Sequence, residues 1–257
     1  MTLISHTWYL AMRDLRNLLR QPWFIAFTLV QPMIYILLFS QLFRRVVEIP
    51  GFGAGSYIAF LTPGIAVMTA LFSGGWSGMS MVQDLERGFM DRLLVTPTSR
   101  GSIVLGRLVQ MSFVILVQVV IIVAVGMLLG ASFVSGPAGV LVLFAASILL
   151  AVPFAALSNA LALLVHQEES VIGAVNFILL PMTFLSSVFM AQNLMPGWMQ
   201  DAAKFNPVNW AVAASREAAS PGVDWGFVLM RLGWLVALCA VCAWLATLAF
   251  RTYQRSI

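Results

Sequence analysis

Cys239 and Cys242 form a C-x-x-C, the spacing of a thiol redox pair or of half a zinc site. Zinc needs four ligands, and the chain holds only two cysteines and two histidines, so the other half would have to come from a second copy meeting at a symmetry axis. Small thiols packed among apolar neighbours explain the pair more simply. Glu168 and Glu169 are adjacent carboxylates, but neighbours on a helix diverge by about 100°, which is wrong for an acid/base pair acting on one substrate. The serines, histidines and acidic residues fall at no spacing that joins a nucleophile to a base. The chain is therefore expected to be no enzyme and to hold no cofactor or metal of its own.

An ATP-binding P-loop is excluded by a single residue. A P-loop needs a glycine directly before the lysine that reaches the phosphates, and Lys204, the only lysine, follows Ala203. If ATP drives this protein, another chain binds it. The net charge of +4, from 14 basic and 10 acidic residues, is scattered rather than gathered into a basic block, which is a poor nucleic-acid footprint.

The elements that carry these residues must be lipid-embedded. The 257 residues are 61% hydrophobic and 9% charged, with a mean hydropathy of +0.94, against roughly 25% charged residues in an ordinary soluble domain. A crossing helix needs about 20 apolar residues. Uncharged runs place six such spans, at about 23–43, 57–81, 106–130, 140–165, 170–190 and 227–250. Ten strongly apolar residues in the first favour its insertion by about 3–6 kcal/mol, and it is too long for a signal-peptide core, so it is expected to be retained. Spans three and four are separated by Ser135-Gly136-Pro137-Ala138-Gly139, a turn signal. With the N-terminus inside, basic residues divide nine inner to five outer, which puts both termini in the cytoplasm. The expected fold is all-α and polytopic, one transmembrane domain over 1–257.

Three segments lie outside the spans. Residues 1–20 carry an apolar stripe (Ile4, Trp8, Met12, Leu15, Leu19) beside Arg13, Arg16 and Arg20, the pattern of an amphipathic helix lying in the interface or packed on its own protein. The inner segment 84–97 has Leu85, Phe89 and Leu93 at i, i+4, i+8 and an Arg87/Asp91 pair, which predicts a short amphipathic helix stopped near Pro97. So short a loop cannot bury Phe89, Met90 and Leu94, and another cytoplasmic surface is expected to cover them. Between spans five and six, Met195-Pro196-Gly197-Trp198-Met199 and Asn206-Pro207-Val208-Asn209-Trp210 predict short outer helices at the tryptophan belt or re-entering it.

Polar residues inside the spans (Gln31, Gln110, Gln118, Asn159, Asn176) either pack helices together or line a substrate path. Gly74/Gly78 and Gly126/Gly130 form G-x-x-x-G pairs that bring helices close, within one chain or across a dimer. Arg231, about a turn inside span six, is expected to reach the outer headgroups. No carboxylate or histidine sits mid-span, which counts against a proton-driven carrier but leaves sodium coupling open.

Read in order, the chain resembles the membrane subunit of type-2 ABC transporters, particularly permeases of daunorubicin-resistance-like exporters. The resemblance is carried by the basic N-terminal helix before Gln31-Pro32, by Leu61-Thr62-Pro63-Gly64, by Asp84-Leu85-Glu86-Arg87-Gly88 running to Thr96-Pro97 and Gly106-Arg107, and by the two outer motifs. The chain has Phe89-Met90-Asp91 after Gly88 where Gly-Thr-Leu-Glu is commoner in that family. The resemblance implies a pair of permeases, identical or paralogous, docked on two P-loop ATPase subunits that hold ATP and Mg. It implies that Asp84, Leu85, Glu86, Arg87, Phe89, Met90, Asp91, Arg92 and Leu94 contact the ATPase as a coupling helix, with Glu168 and Glu169 as a second inner contact. It also implies export of a drug or lipid, with a lipid-linked glycan as an alternative, through a path in which Gln31, Gln118, Asn159 and Asn176 are candidates. A bacterial cytoplasmic membrane is the expected location.

Overall fold

Uncharged apolar runs become helices, bounded wherever a side chain can take a terminal backbone group or a Gly/Pro break intervenes. The computed structural model describes residues 22–50, 52, 55–86, 100–131 and 136–254, and every regular element among them is helical. In order they are α1 (Pro22–Leu42), a 3-10 turn (Arg44–Glu48), α2 (Tyr57–Gly75), α3 (Ser77–Glu86), α4 (Arg100–Leu128) and α5 (Pro137–Val165). Then follow α6 (Glu168–Phe184), a 3-10 turn (Gln192–Leu194), α7 (Gly197–Phe205), α8 (Pro207–Ala219) and α9 (Trp225–Gln254). The N-terminal helix expected over 1–20 lies outside the described residues, as do residues 87–99 of the inner segment.

The boundaries have local causes. Ser56 opens α2 by accepting a hydrogen bond from the Ala59 amide at 3.2 Å. Gly136, with φ of 61°, supplies the left-handed corner from which Pro137 starts α5. Asn206 opens α8 by accepting from the Val208 amide at 2.9 Å, with Pro207 at the first helical position.

The six expected spans are corrected to four. Among the described residues, Tyr57–Gln83, Leu108–Leu128, Pro137–Val165 and Trp225–Thr247 are long and apolar enough to cross a membrane. The expected first span, 23–43, is a helix, but its apolar stretch among the described residues, Ala26–Leu42, is shorter than these four. The expected fifth span, 170–190, also falls short, because α6 stops at Phe184 after 17 residues. Its last carbonyls are drawn away by side chains from elsewhere. Asn206 Nδ2 donates to the carbonyls of Met182 (2.6 Å) and Leu185 (3.1 Å), and Ser186 Oγ donates to that of Thr183 at 2.6 Å. Residues 185–191 leave the helix there.

Helix α5 is the hub, lying against α2, α3, α8 and α9. Helix α2 is the most enclosed, with 78% of its apolar window buried, whereas α9 is peripheral at 17%. The glycine pairs explain the close approach. A Cβ at Gly74 would strike the Ala151 carbonyl on α5, and one at Gly78 would strike the Ser158 hydroxyl. A Cβ at Gly126 on α4 would lie 2.6 Å from Thr62 Oγ1 on α2. These three glycines bring helices of one chain together, so the intramolecular alternative holds for them. Gly130 lies beyond the end of α4, with open space around it.

Candidate functional site

At one end of the bundle, α3 terminates in Asp84, Leu85 and Glu86, and Glu86 is exposed. Arg87, Phe89, Met90, Asp91, Arg92 and Leu94 lie outside the described residues. Glu168 and Glu169 occupy the first turn of α6, half-buried and exposed respectively, after His166 has ended α5 in a left-handed conformation with φ of 56°. Because α6 packs against α3, this acidic turn sits at the same end of the bundle as Glu86. Two carboxylates at a helix N-terminus are favourable for α6 itself.

The hydrogen bonds of the candidate path residues run to other side chains rather than to one another. Gln118, 1% exposed, accepts from Ser73 Oγ at 2.9 Å and donates to Thr28 Oγ1 at 3.3 Å, tying α1, α2 and α4. Asn159 Oδ1 accepts from Ser77 Oγ at 3.3 Å, just past the break at Trp76 between α2 and α3. Its neighbour Ser158 accepts from the Gly78 amide at 3.1 Å and donates to the Gly75 carbonyl. Gln31 is exposed and bonds Tyr35 one turn along α1 at 3.0 Å. Asn176 is half-buried on α6. Gln118 and Asn159 thus hold helices and a helix break. Gln118→Leu should cost about 1 kcal/mol of stability, near the mean for interhelical hydrogen bonds in lipid, and leave substrate preference unchanged. Thermal unfolding and a two-substrate export assay check this; altered preference would restore Gln118 to the path.

The most organised polar cluster is at the opposite end of the bundle, and the residue at its centre, Arg216 on α8, was expected only as an outer charge. Its Nε donates to the Phe60 carbonyl (2.9 Å), Nη1 to Ser187 (2.6 Å) and Nη2 to Val188 (2.9 Å), while the guanidinium lies 3.4 Å from the Phe60 ring centroid. The guanidinium fork serves the carbonyls of Ser187 and Val188, which lie outside any helix, and adds a bond to that of Phe60 in the first turn of α2.

Other side chains complete the accounting. Tyr57 donates to the Phe189 carbonyl at 2.9 Å, and Asn209 Oδ1 accepts from the Ser187 amide at 3.2 Å. The irregular backbone of 185–189 is thereby satisfied by protein, the condition under which non-helical chain is tolerated at membrane depth. Gly64 makes room for it: a Cβ there would lie 2.8 Å from the Val188 carbonyl oxygen. Helix α8 fits among α2, α5 and α9 through Ala211, Ala214, Ser215 and Ala218, all buried, which is why the expected short outer helices include one inserted into the bundle. That small-residue stripe was the available signal that Arg216 is drawn inward. Trp210 closes the corner, donating to the Lys204 carbonyl at 2.7 Å and meeting Trp234 edge-on at 5.2 Å. Arg231 lies over Trp234, 4.6 Å from the ring centroid.

The C-x-x-C lies along α9. Cys239 donates to the Leu149 carbonyl at 3.1 Å, Cys242 is buried, and both thiols are free. No group of three or more His, Cys, Asp or Glu among the described residues could hold a metal ion.

The geometry is that of a polytopic bundle of long apolar helices, with α8 inserted among α2, α5 and α9. Comparison with known proteins agrees. Residues 5–219 match the family described as ABC-2 type transporter. The chain named as transport permease ycf38 in Pyropia yezoensis is 31% identical over 220 residues, covering 84% of this chain and 74% of that one. The daunorubicin resistance ABC transporter permease protein DrrB1 of Streptomyces coeruleorubidus is 29% identical over 214 residues, covering 82% and 75%. The chain named as doxorubicin resistance ABC transporter permease protein DrrC in Mycobacterium tuberculosis is 25% identical over 215 residues, covering 84% and 77%. With the family spanning most of its length and long apolar helices to match, the chain belongs to the ABC-2 type transporters, as the non-catalytic, multi-pass membrane permease subunit of an ABC-type exporter that works with an ATPase partner.

Proposed function

We propose that two such permeases, identical or paralogous, form the export pathway for an amphipathic drug or lipid in a bacterial cytoplasmic membrane, driven by two copies of a separate P-loop ATPase. The observation that carries this is the family match over 5–219 in a chain whose only lysine cannot complete a P-loop. Relatives named for daunorubicin and doxorubicin resistance support an amphipathic substrate. Asp84, Leu85, Glu86, Arg87, Phe89, Met90, Asp91, Arg92 and Leu94 dock in the ATPase, and the Glu168-Glu169 turn, at the same end as Glu86, makes a second contact. Nucleotide binding drives transport because the ATP-bound partner favours one packing of the helices over the other.

Phe89→Asp should weaken co-purification of the ATPase at least tenfold, as expected when an apolar anchor of an interface becomes a charge. Export should fall in proportion while membrane insertion stays normal. In the wild type, vanadate should abolish transport and sodium removal should not. Full export with undiminished ATPase yield in the variant would remove the coupling role.

A further inference from the structure

Where the end of α1, the start of α2 and the end of α4 meet at the outer face, they enclose a cavity of about 360 Å³. That is within the usual range for a ligand pocket, about 300–1,000 Å³. Its walls include Ser40, Gln41 and Arg44 from the α1 side, Ser56 at the mouth of α2, and Leu129 and Gly130 beyond α4. Among the described lining residues there is one charge, and it is positive. Neither the Arg44 guanidinium nor the Gln41 amide is engaged by another described residue, whereas Ser40 is spent on the Leu37 carbonyl at 3.1 Å. Ser56 accepts from the Ala59 amide, which leaves its own O–H free to donate. The cavity therefore offers unspent donors at three points and no carboxylate among its lining residues.

Its level in the membrane narrows the ligand. The apolar stretches Ala26–Leu42, Tyr57–Gln83 and Leu108–Leu128 all end or begin at this cavity, so it sits at the boundary between hydrocarbon and headgroups. Beside it Leu42 (64%) and Leu128 (86%) stand exposed, apolar surface continuous with a polar hole. A free anion would use the donors and leave those leucines bare; an amphiphile with an anionic head uses both.

We propose that this cavity binds the phosphodiester headgroup of an outer-leaflet phospholipid, with Arg44 and Gln41 holding the phosphate oxygens and the acyl chains lying along Leu42 and Leu128. The site stands apart from the transport reading, since it needs neither ATPase nor substrate. Arg44 bonds the phosphate as a charge-assisted fork, and Gln41 adds a neutral donor.

The test is native mass spectrometry of the purified full-length chain released from micelles containing phosphatidylglycerol. The wild type should retain one lipid per chain. Arg44→Gln, which removes the charge, and Gln41→Trp, which fills the cavity, should each lower retention at least fivefold with unchanged unfolding temperature, because both side chains are exposed. Diacylglycerol, which lacks the phosphate, should not be retained. Equal retention by the wild type and both variants would overturn the proposal. So would displacement of the lipid by millimolar inorganic phosphate, which would assign the donors to the free ion.

Discussion

Replacing Arg216 with alanine is expected to destabilise the detergent-purified permease by roughly 3–5 kcal/mol, because it strands the non-helical carbonyls of Ser187 and Val188 and removes the bond to Phe60. At about 2–4 °C per kcal/mol for a chain of this size, the unfolding temperature should fall by roughly 6–20 °C. Arg216→Lys is the informative companion. An ammonium carries the charge and can donate, but it cannot span three carbonyls with one planar fork or stack on Phe60, so it should recover less than half of the loss. Differential scanning fluorimetry of the three proteins side by side checks the order. If lysine restored full stability, charge alone would matter and the fork geometry would be irrelevant. If alanine were neutral, residues 185–189 would be solvated by water rather than by protein.

The second large effect is expected from Gly74→Leu. The side chain would have to enter the space held by the Ala151 backbone, and no rotamer avoids a contact made by its own Cβ. Helices α2 and α5 must separate, at a cost of roughly 3 kcal/mol or more, the upper end for overpacking. Gly233→Leu on α9 is the matched control, since nothing lies within 4 Å of a Cβ there. It should leave the unfolding temperature unchanged or slightly raised. Size-exclusion chromatography with light scattering then separates the two uses of a small-residue pair. A Gly74→Leu protein of normal stability that has lost self-association would mean that the glycine serves contact between copies.

Much of the helical content was legible, because it depends on local chemistry. Gly136-Pro137 marks the start of α5, and Asn206-Pro207 marks the start of α8, through capping that involves neighbours in the chain. The fifth span was misjudged for the opposite reason. Nothing between Leu185 and Met190 breaks a helix by composition; α6 ends because Asn206, more than a turn of any helix away, takes the carbonyls of Met182 and Leu185. Hydropathy counting has no access to such a competitor. It also overstated the first span, where Ala26–Leu42 is helical and apolar but short.

The candidate site was legible in kind more than in detail. Gln118 and Asn159 were marked as residues that must be engaged, and both are, but only folding reveals that their partners are Thr28, Ser73 and Ser77. The Gly74 and Gly78 pair could not declare which helix it approaches, since spacing defines a face and not what meets it. Arg216 was counted among free outer cations because a charge in a predicted outer stretch reads as solvated. Its inward course follows from the buried small residues Ala211, Ala214, Ser215 and Ala218 on the same helix.

The bend at Trp76 has a mechanical meaning. Helix α2 on one side of it carries Phe60 and Gly64, against which the outer closure rests, and α3 on the other side runs straight to Glu86. Ser158 and Asn159 pin the elbow to α5. The chain thus has one helical rod, Tyr57–Gln83, pinned near its middle to the hub helix, and it joins the Arg216 cluster at one end of the bundle to the α3 terminus at the other with no loop between them.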